Sequence, residues 1–394
     1  MVCLLLWVIG AQLWAARSWG HGSWQLTELL INYAGGFVRR GLIGALLGLV
    51  AGATGIQANH LAIGAGLVSY GLLVGWFLRR ATRMFPAALI LSCIALGFPA
   101  YQDSIIRKDC LGLLLLLGCL RADDSRLARP LAVVTINLLA GLALLSHEAF
   151  AFYALPALVL FTRGGQPPRT GIGLLRRSLL LLPAAGCFAL VSCYHGTPEI
   201  AQAVNSSWIP LWRAIDPGIS HPEIPAASIQ ALGWTSDKGI SLGLILLTSG
   251  FYQPLMWAAL FAVSFALVVW FTARDADPRD PAVVEARIRV TAILLAQFIF
   301  IAPLFLLGND YGRWLFFWVA GSLMLHTTGH RVPRWLESRV ARLFAKAKLN
   351  ERCARMPAKD WYLLFFGVPV CWNINSFIFA SPVVRHLRVI WSWF

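Results

Sequence analysis

Charge is what this sequence has least of. Asp, Glu, Lys and Arg make up 13% of its 394 residues, about half the roughly 25% of a soluble domain. Hydrophobic residues make up 58%. Apolar stretches near membrane-spanning length recur from end to end, at a density no single soluble core can bury. Acid is scarcest: 18 Asp+Glu stand against 33 Lys+Arg, a net charge of +15. In a soluble protein that balance would suggest nucleic acid. Here most basic residues lie in short loops between apolar stretches, where they set membrane orientation. The expected partner is therefore the lipid bilayer, with no nucleic acid.

Paired cysteines are also missing. The eight cysteines include no CxxC pair, and most lie inside apolar segments. They read as small packing residues, not as a disulfide frame or a zinc site. The first segment, Val2 to Ala16, has no basic residue before it, so it reads as a retained helix and not a cleaved signal. No internal repeat, low-complexity tract or soluble domain breaks the pattern, and residues 1–394 read as one integral membrane domain.

The hydrophobic runs predict spanning helices over 2–17, 59–79, 84–100, 110–121, 131–146, 149–162, 178–195, 252–272, 289–307, 314–329 and 361–380. The expected fold class is all-α: a polytopic transmembrane helical bundle of about 11 spans, range about 10–12, with outer-face interfacial helices. Gly41 to Gly55 is the ambiguous stretch. It is apolar but short and rich in Gly, so it is read as lying in the outer interface. Further interfacial helices are expected over Ser23 to Tyr33, from its helical spacing, and over 239–251.

Orientation follows from basic loops. Segments 79–83, 121–130, 162–177, 273–289 and 330–359 hold 3, 3, 4, 4 and 9 Lys+Arg, which is 23 of 33. These belong in the cytoplasm. The longest includes an amphipathic basic stretch, Arg331 to Lys359, suited to the lipid surface. Segments 18–58, 101–109, 146–148, 196–251 and 308–313 then face outward, with an interfacial C-terminus anchored by Trp391 and Trp393.

Charge near membrane depth is expensive and marks function. Four clusters fall on the outer side. Asn32 to Gly41 reads NYAGGFVRRG. Its glycines permit a tight turn, and Arg39 and Arg40 carry forks suited to phosphate or carboxylate. The plainer reading is arginines snorkelling to headgroups. Tyr101 to Asp109 carries Asp103, Arg107, Lys108 and Asp109. Asp103 and Arg107 are spaced to pair on a helix, which an inert cap would also do. His147 and Glu148 form a very short turn, and such a pair serves as a base or only stabilises the turn. Asn309 to Trp314 sets Asp310 and Arg313 around a glycine, as a site or as a closed hairpin.

Together they place Arg39, Arg40, Arg107, Lys108 and Arg313 beside Glu28, Asp103, Glu148 and Asp310 on one face. Such a pocket suits phosphate-ester chemistry. Cations hold a phosphate leaving group, and a carboxylate takes the proton of an attacking hydroxyl. Trp208, Trp212 and Trp234, in the proline-rich segment 196–238, suit a cover for sugar rings or apolar chains, or rest on the bilayer. No His or carboxylate spacing there is a metal signature. A divalent metal, Mg or Mn, on the scattered outer carboxylates is kept open.

The order of segments, with the phrases GGFVRRGL (Gly35 to Leu42), RKD (Arg107 to Asp109), HE (His147, Glu148) and DYGRW (Asp310 to Trp314), resembles the integral-membrane C-type glycosyltransferases (GT-C). It also resembles bacterial O-antigen and oligosaccharide polymerases. The resemblance implies a multi-pass protein of the bacterial inner membrane, acting in polysaccharide biosynthesis on the cell envelope. It implies an extracytoplasmic transfer from a polyprenyl-phosphate-linked sugar donor. Arg39, Arg40, Arg107, Lys108 and Arg313 would bind the donor phosphate. A carboxylate of the first outer loop usually acts as base or metal ligand. Here residues 18–58 hold Glu28 and no aspartate, so that role is shared among Glu28, Glu148, Asp103 and Asp310, with His147 orienting. The alternatives are a transporter or flippase of a lipid-linked or anionic substrate, and a membrane acyl- or phospho-group transferase using His147 and Glu148. Sugar, acceptor and oligomeric state are not encoded in any recognisable motif.

Overall fold

Two helices set the frame. Asp109–Asp123 is leucine-rich, and Arg129–Ser146 opens with a proline in its first turn, where a missing N–H costs nothing. At 1.5 Å per residue, their 15 and 18 residues run about 22 and 27 Å. One end of this hairpin holds Asp109 and Ser146. The other holds Asp123 and Arg129, which pair at 2.8 Å. The computed structural model describes residues 2–16, 19–124, 128–163, 171–234, 254–355, 358–370 and 381–384, with isolated positions between 237 and 248 and Leu387. Most of the expected interfacial helix over 239–251, the second half of the span at 361–380 and the Trp391–Trp393 anchor lie outside the described residues.

The described residues are mostly helical, and their strand pairing is an antiparallel bridge between Thr162–Arg163 and His330–Arg331. Among the described residues, four helices are long and apolar enough to cross a membrane: Ala58–Arg80, Arg129–Ser146, Pro254–Phe271 and Pro281–Leu307. A fifth is added if Ile172–Leu180 and Leu182–Cys193, bent by 62°, form one span. Large apolar side chains point outward from them, among them Val68, Leu72, Leu138, Leu255 and Ile299. A soluble protein rarely exposes such a surface; lipid tolerates it.

The expectation of about 11 spans is thus corrected, because apolar runs are not continuous helices. Residues 84–100 break into Ala87–Ile90 and Gly97–Tyr101, the first entered from Pro86. Residues 149–162 break at Ala154, before Pro156. Val2–Ala16 and Asp109–Asp123 hold 15 residues each, short of the ~20 a straight span needs. Tyr311–Thr327 has 17 residues and is buried from Gly312 to His326, so it is a central post walled off by other helices. Gly41–Thr54 is also short, 14 residues ending at Gly55 in the left-handed conformation.

The loops nevertheless sort as the basic residues require. The Met84 carbonyl accepts from the Ala273 N–H at 2.8 Å. Arg177 lies 3.4 Å from Asp123, the strand pair joins 162–163 to 330–331, and Arg331 lies 3.4 Å from Glu285. Contacts thereby connect all five basic loops at one end. The five segments expected on the outer face meet at the other end.

There a second core forms, separate from the core of the bundle. Leu26, Leu30, Ile31 and Val38 pack with Val204, Trp208, Trp212 and Ile229. Trp208 Nε1 donates to the Leu30 carbonyl at 2.7 Å. Gly44 permits this closeness, since a Cβ there would lie 2.1 Å from the Ile31 carbonyl oxygen. The expectation that Trp208 and Trp212 cover a polar site is therefore corrected. Both are buried and anchor 196–234 onto the first loop.

Candidate functional site

The site is built where these segments converge. Ser23 caps the short helix Trp24–Leu29, accepting from the Leu26 N–H at 3.3 Å, and the helix buries Glu28. Gly36 makes the expected turn at φ 105°, and Arg40 adopts the left-handed region at φ 65°. For a residue with a Cβ this costs on the order of 1–3 kcal/mol and needs surrounding support. The support is visible. Lys108 Nζ donates to the Arg40 carbonyl at 2.8 Å, and Arg40 Nε donates to both oxygens of Glu148 at 3.0 and 2.8 Å.

The other pairs extend this into one network. Arg313 donates through Nε and Nη2 to the two oxygens of Asp109, at 2.9 and 2.5 Å. Its Nη1 donates to Asp310 at 2.6 Å. Arg107 lies 3.4 Å from Asp310 and 3.4 Å from Glu28. Glu28 stands at the centre, with Arg40 at 3.8 Å, His147 at 3.5 Å and Arg313 at 4.0 Å. Neither oxygen of Glu28 accepts a hydrogen bond from any described residue. The Ala149 N–H donates to His147 Nδ1 at 3.1 Å. His147 Nε2 lies 3.5 Å from Glu28 and 3.3 Å from Arg313 Nη2.

The network has a floor and a rim. Side chains of Glu28, Arg107, Asp109 and Arg313 are at most 6% exposed. Those of Arg39, Arg40, Glu148 and Asp310 are 20–26% exposed. Arg39 lies 3.7 Å from Glu148 and donates to the Ala231 carbonyl at 3.4 Å, so the 196–234 segment walls one side. A small cavity behind the floor is lined by Lys108, Asp109, Gly112, His147, Tyr153 and Phe317, among others.

Burial alone would raise the carboxyls of Glu28 and Glu148. The guanidiniums of Arg107 and Arg313 around the first, and of Arg40 around the second, override it and hold both well below the usual range. Asp310 is lowered too, against burial, by Arg107 and Arg313. Burial pulls Lys108 down to about 7, against the attraction of Glu28. It also lowers His147, helped by Arg40. Near neutral pH the site therefore holds firm carboxylates, a neutral imidazole and a lysine balanced between its two forms.

Nine of the ten site residues expected from sequence come together here. Asp103 does not. It lies in a loop at φ 52°, while Arg107, expected to pair with it, lies 3.4 Å from Glu28 and from Asp310. Beside Asp310, Arg313 also holds Asp109, which the sequence reading placed in RKD without a role. Its signal was position: it opens an apolar helix, where an acid faces the helix's positive end. Among the described residues no group of three or more His, Cys, Asp or Glu side chains is arranged to hold a metal ion. The carboxylates are taken up by guanidiniums.

No family model matches the chain, and no curated protein or solved structure matches it either. What stands is a mostly helical protein with four or five candidate membrane spans among the described residues and a buried ion-pair network at one end.

Proposed function

We propose that the chain is a membrane glycosyltransferase that moves a sugar from a polyprenyl-phosphate-linked donor to a hydroxyl acceptor on the outer face. The observation that carries this reading is the paired rim. Within the network, Arg39 and Arg40 sit with Glu148 where the arginines and a carboxylate are both partly exposed. Five basic side chains face four carboxylates, and Lys108 is only partly charged, so the site has little excess charge. An anion must therefore compete with Glu148 for the arginine forks. That competition is useful. A donor phosphate that takes Arg40 releases Glu148 from the partner that keeps it a weak base.

In the step proposed, the acceptor oxygen bonds to the sugar's anomeric carbon as the bond from that carbon to the phosphate oxygen breaks. Glu148 receives the hydroxyl proton, and Arg39 and Arg40 hold the charge left on the polyprenyl phosphate or diphosphate. Glu28, Asp109 and His147 lie too deep to touch substrate and keep the arginines in place. Glu148→Gln and Arg39→Ala, at normal expression, should each lower glycan transfer about 100-fold or more and let the lipid-linked donor accumulate. Wild-type surface glycan from both variants refutes the reading.

One observation favours a second reading, movement of a lipid-linked or anionic substrate. Gln297 and His326 are buried on adjacent helices, and their side-chain polar atoms find no hydrogen-bond partner among the described residues. Buried polar groups within a helical membrane bundle mark pathways. Flux of a labelled lipid-linked sugar across vesicles, with no new glycosidic bond, would select this reading.

A further inference from the structure

We propose that the cytoplasmic end carries a binding site for one anionic phospholipid, held by Arg129 and Arg177 beside Asp123. This rests on the chain lying in a membrane and not on the reaction proposed at the outer end. The bend between Ile172–Leu180 and Leu182–Cys193 opens a wedge against Arg129–Ser146. Asn137 pins the bend, donating to the Leu180 carbonyl at 2.9 Å and accepting from the Ala184 N–H at 3.1 Å. The wedge is a shallow surface cleft, walled by Val133, Leu158, Leu180 and Leu181.

Its polar edge has three charges. Arg129 Nη1 donates to one oxygen of Asp123 at 2.8 Å, and Arg177 Nη2 to the other at 3.4 Å. One carboxylate, Asp123, thus serves two guanidiniums at the mouth. Below it the lining is apolar, and beside it Leu131, Leu138, Ile172 and Leu175 lie more than half exposed. A phosphate held by two forks with acyl chains running down that wall satisfies both parts. A soluble phosphate would use only the first. The site stands one helix length, about 22 Å, from Asp109, so it is distinct from the outer network.

The test uses the purified full chain in native mass spectrometry, with phosphatidylglycerol and phosphatidylcholine as probes. The wild type should retain one phosphatidylglycerol more tightly than any phosphatidylcholine. Arg129→Ala and Arg177→Ala should each weaken that lipid about tenfold, the loss of one charge-assisted bond, while Arg177→Lys keeps most of it. Asp123→Asn should bind it more tightly, because the competing carboxylate is gone. A purely structural triad predicts the reverse for Asp123→Asn, so the proposal stays falsifiable even if an alanine variant fails to fold. Equal retention of both lipids, unchanged or weaker binding by Asp123→Asn, or displacement by millimolar inorganic phosphate overturns it.

Discussion

The ion pair between Asp109 and Arg313 offers the sharpest test of the network. Two hydrogen bonds of 2.9 and 2.5 Å join them, and both side chains are at most 4% exposed. Breaking a buried pair by removing one partner costs about 3–5 kcal/mol, because the other charge stays buried. Asp109→Asn leaves Arg313 with Asp310 at 2.6 Å and Glu28 at 4.0 Å, so the lower end, about 3 kcal/mol, is expected. Arg313→Met strands Asp109 and weakens the hold on Asp310, so about 4–5 kcal/mol is expected. The double variant strands neither and should cost well under the sum, with a coupling of at least about 1.5 kcal/mol. Unfolding in detergent, followed by the fluorescence of the chain's 17 tryptophans, measures all four corners. Additivity within about 0.5 kcal/mol, or a cost below about 1 kcal/mol for Asp109→Asn, would show that the two charges are not buried against each other.

Three further outcomes are expected. Lys108 ordinarily titrates at 10.5 and is pulled down to about 7 in the fold. Between those values the unfolded chain binds the extra proton, so stability rises with pH across that window; Lys108→Met should remove that rise from a stability–pH profile. Gly44→Ala places a Cβ 2.1 Å from the Ile31 carbonyl oxygen, against backbone that cannot turn away, and should cost about 3 kcal/mol or more, read as lost thermal stability. Trp208→Phe keeps the ring but leaves the Leu30 carbonyl without its 2.7 Å donor, and should cost about 1–3 kcal/mol in the same melt.

The all-helical class and the sorting of loops to two ends were legible because composition and basic-loop placement are local properties. So were nine of ten site residues, since charge is rare enough here to stand out. The number of spans was not legible. An apolar run signals burial, and Ala88 to Ala100 is buried, but inside other helices and in broken pieces. Hydropathy cannot tell lipid from protein as the apolar neighbour. Asp109 and Asp103 stand six residues apart with equal claims by composition. The fold aims the first at Arg313 at the head of a helix and leaves the second in a turn. Trp208 and Trp212 likewise read as surface aromatics, until 196–234 folds onto the first loop and buries them. What the sequence determined by itself was which residues are costly to place near a membrane. Only the tertiary structure decided which of them neutralise each other in the floor and which, as Arg39, Arg40 and Glu148, remain open at the rim. Pairing depends on side chains brought within 4 Å by segments more than a hundred residues apart, a proximity that no local pattern encodes.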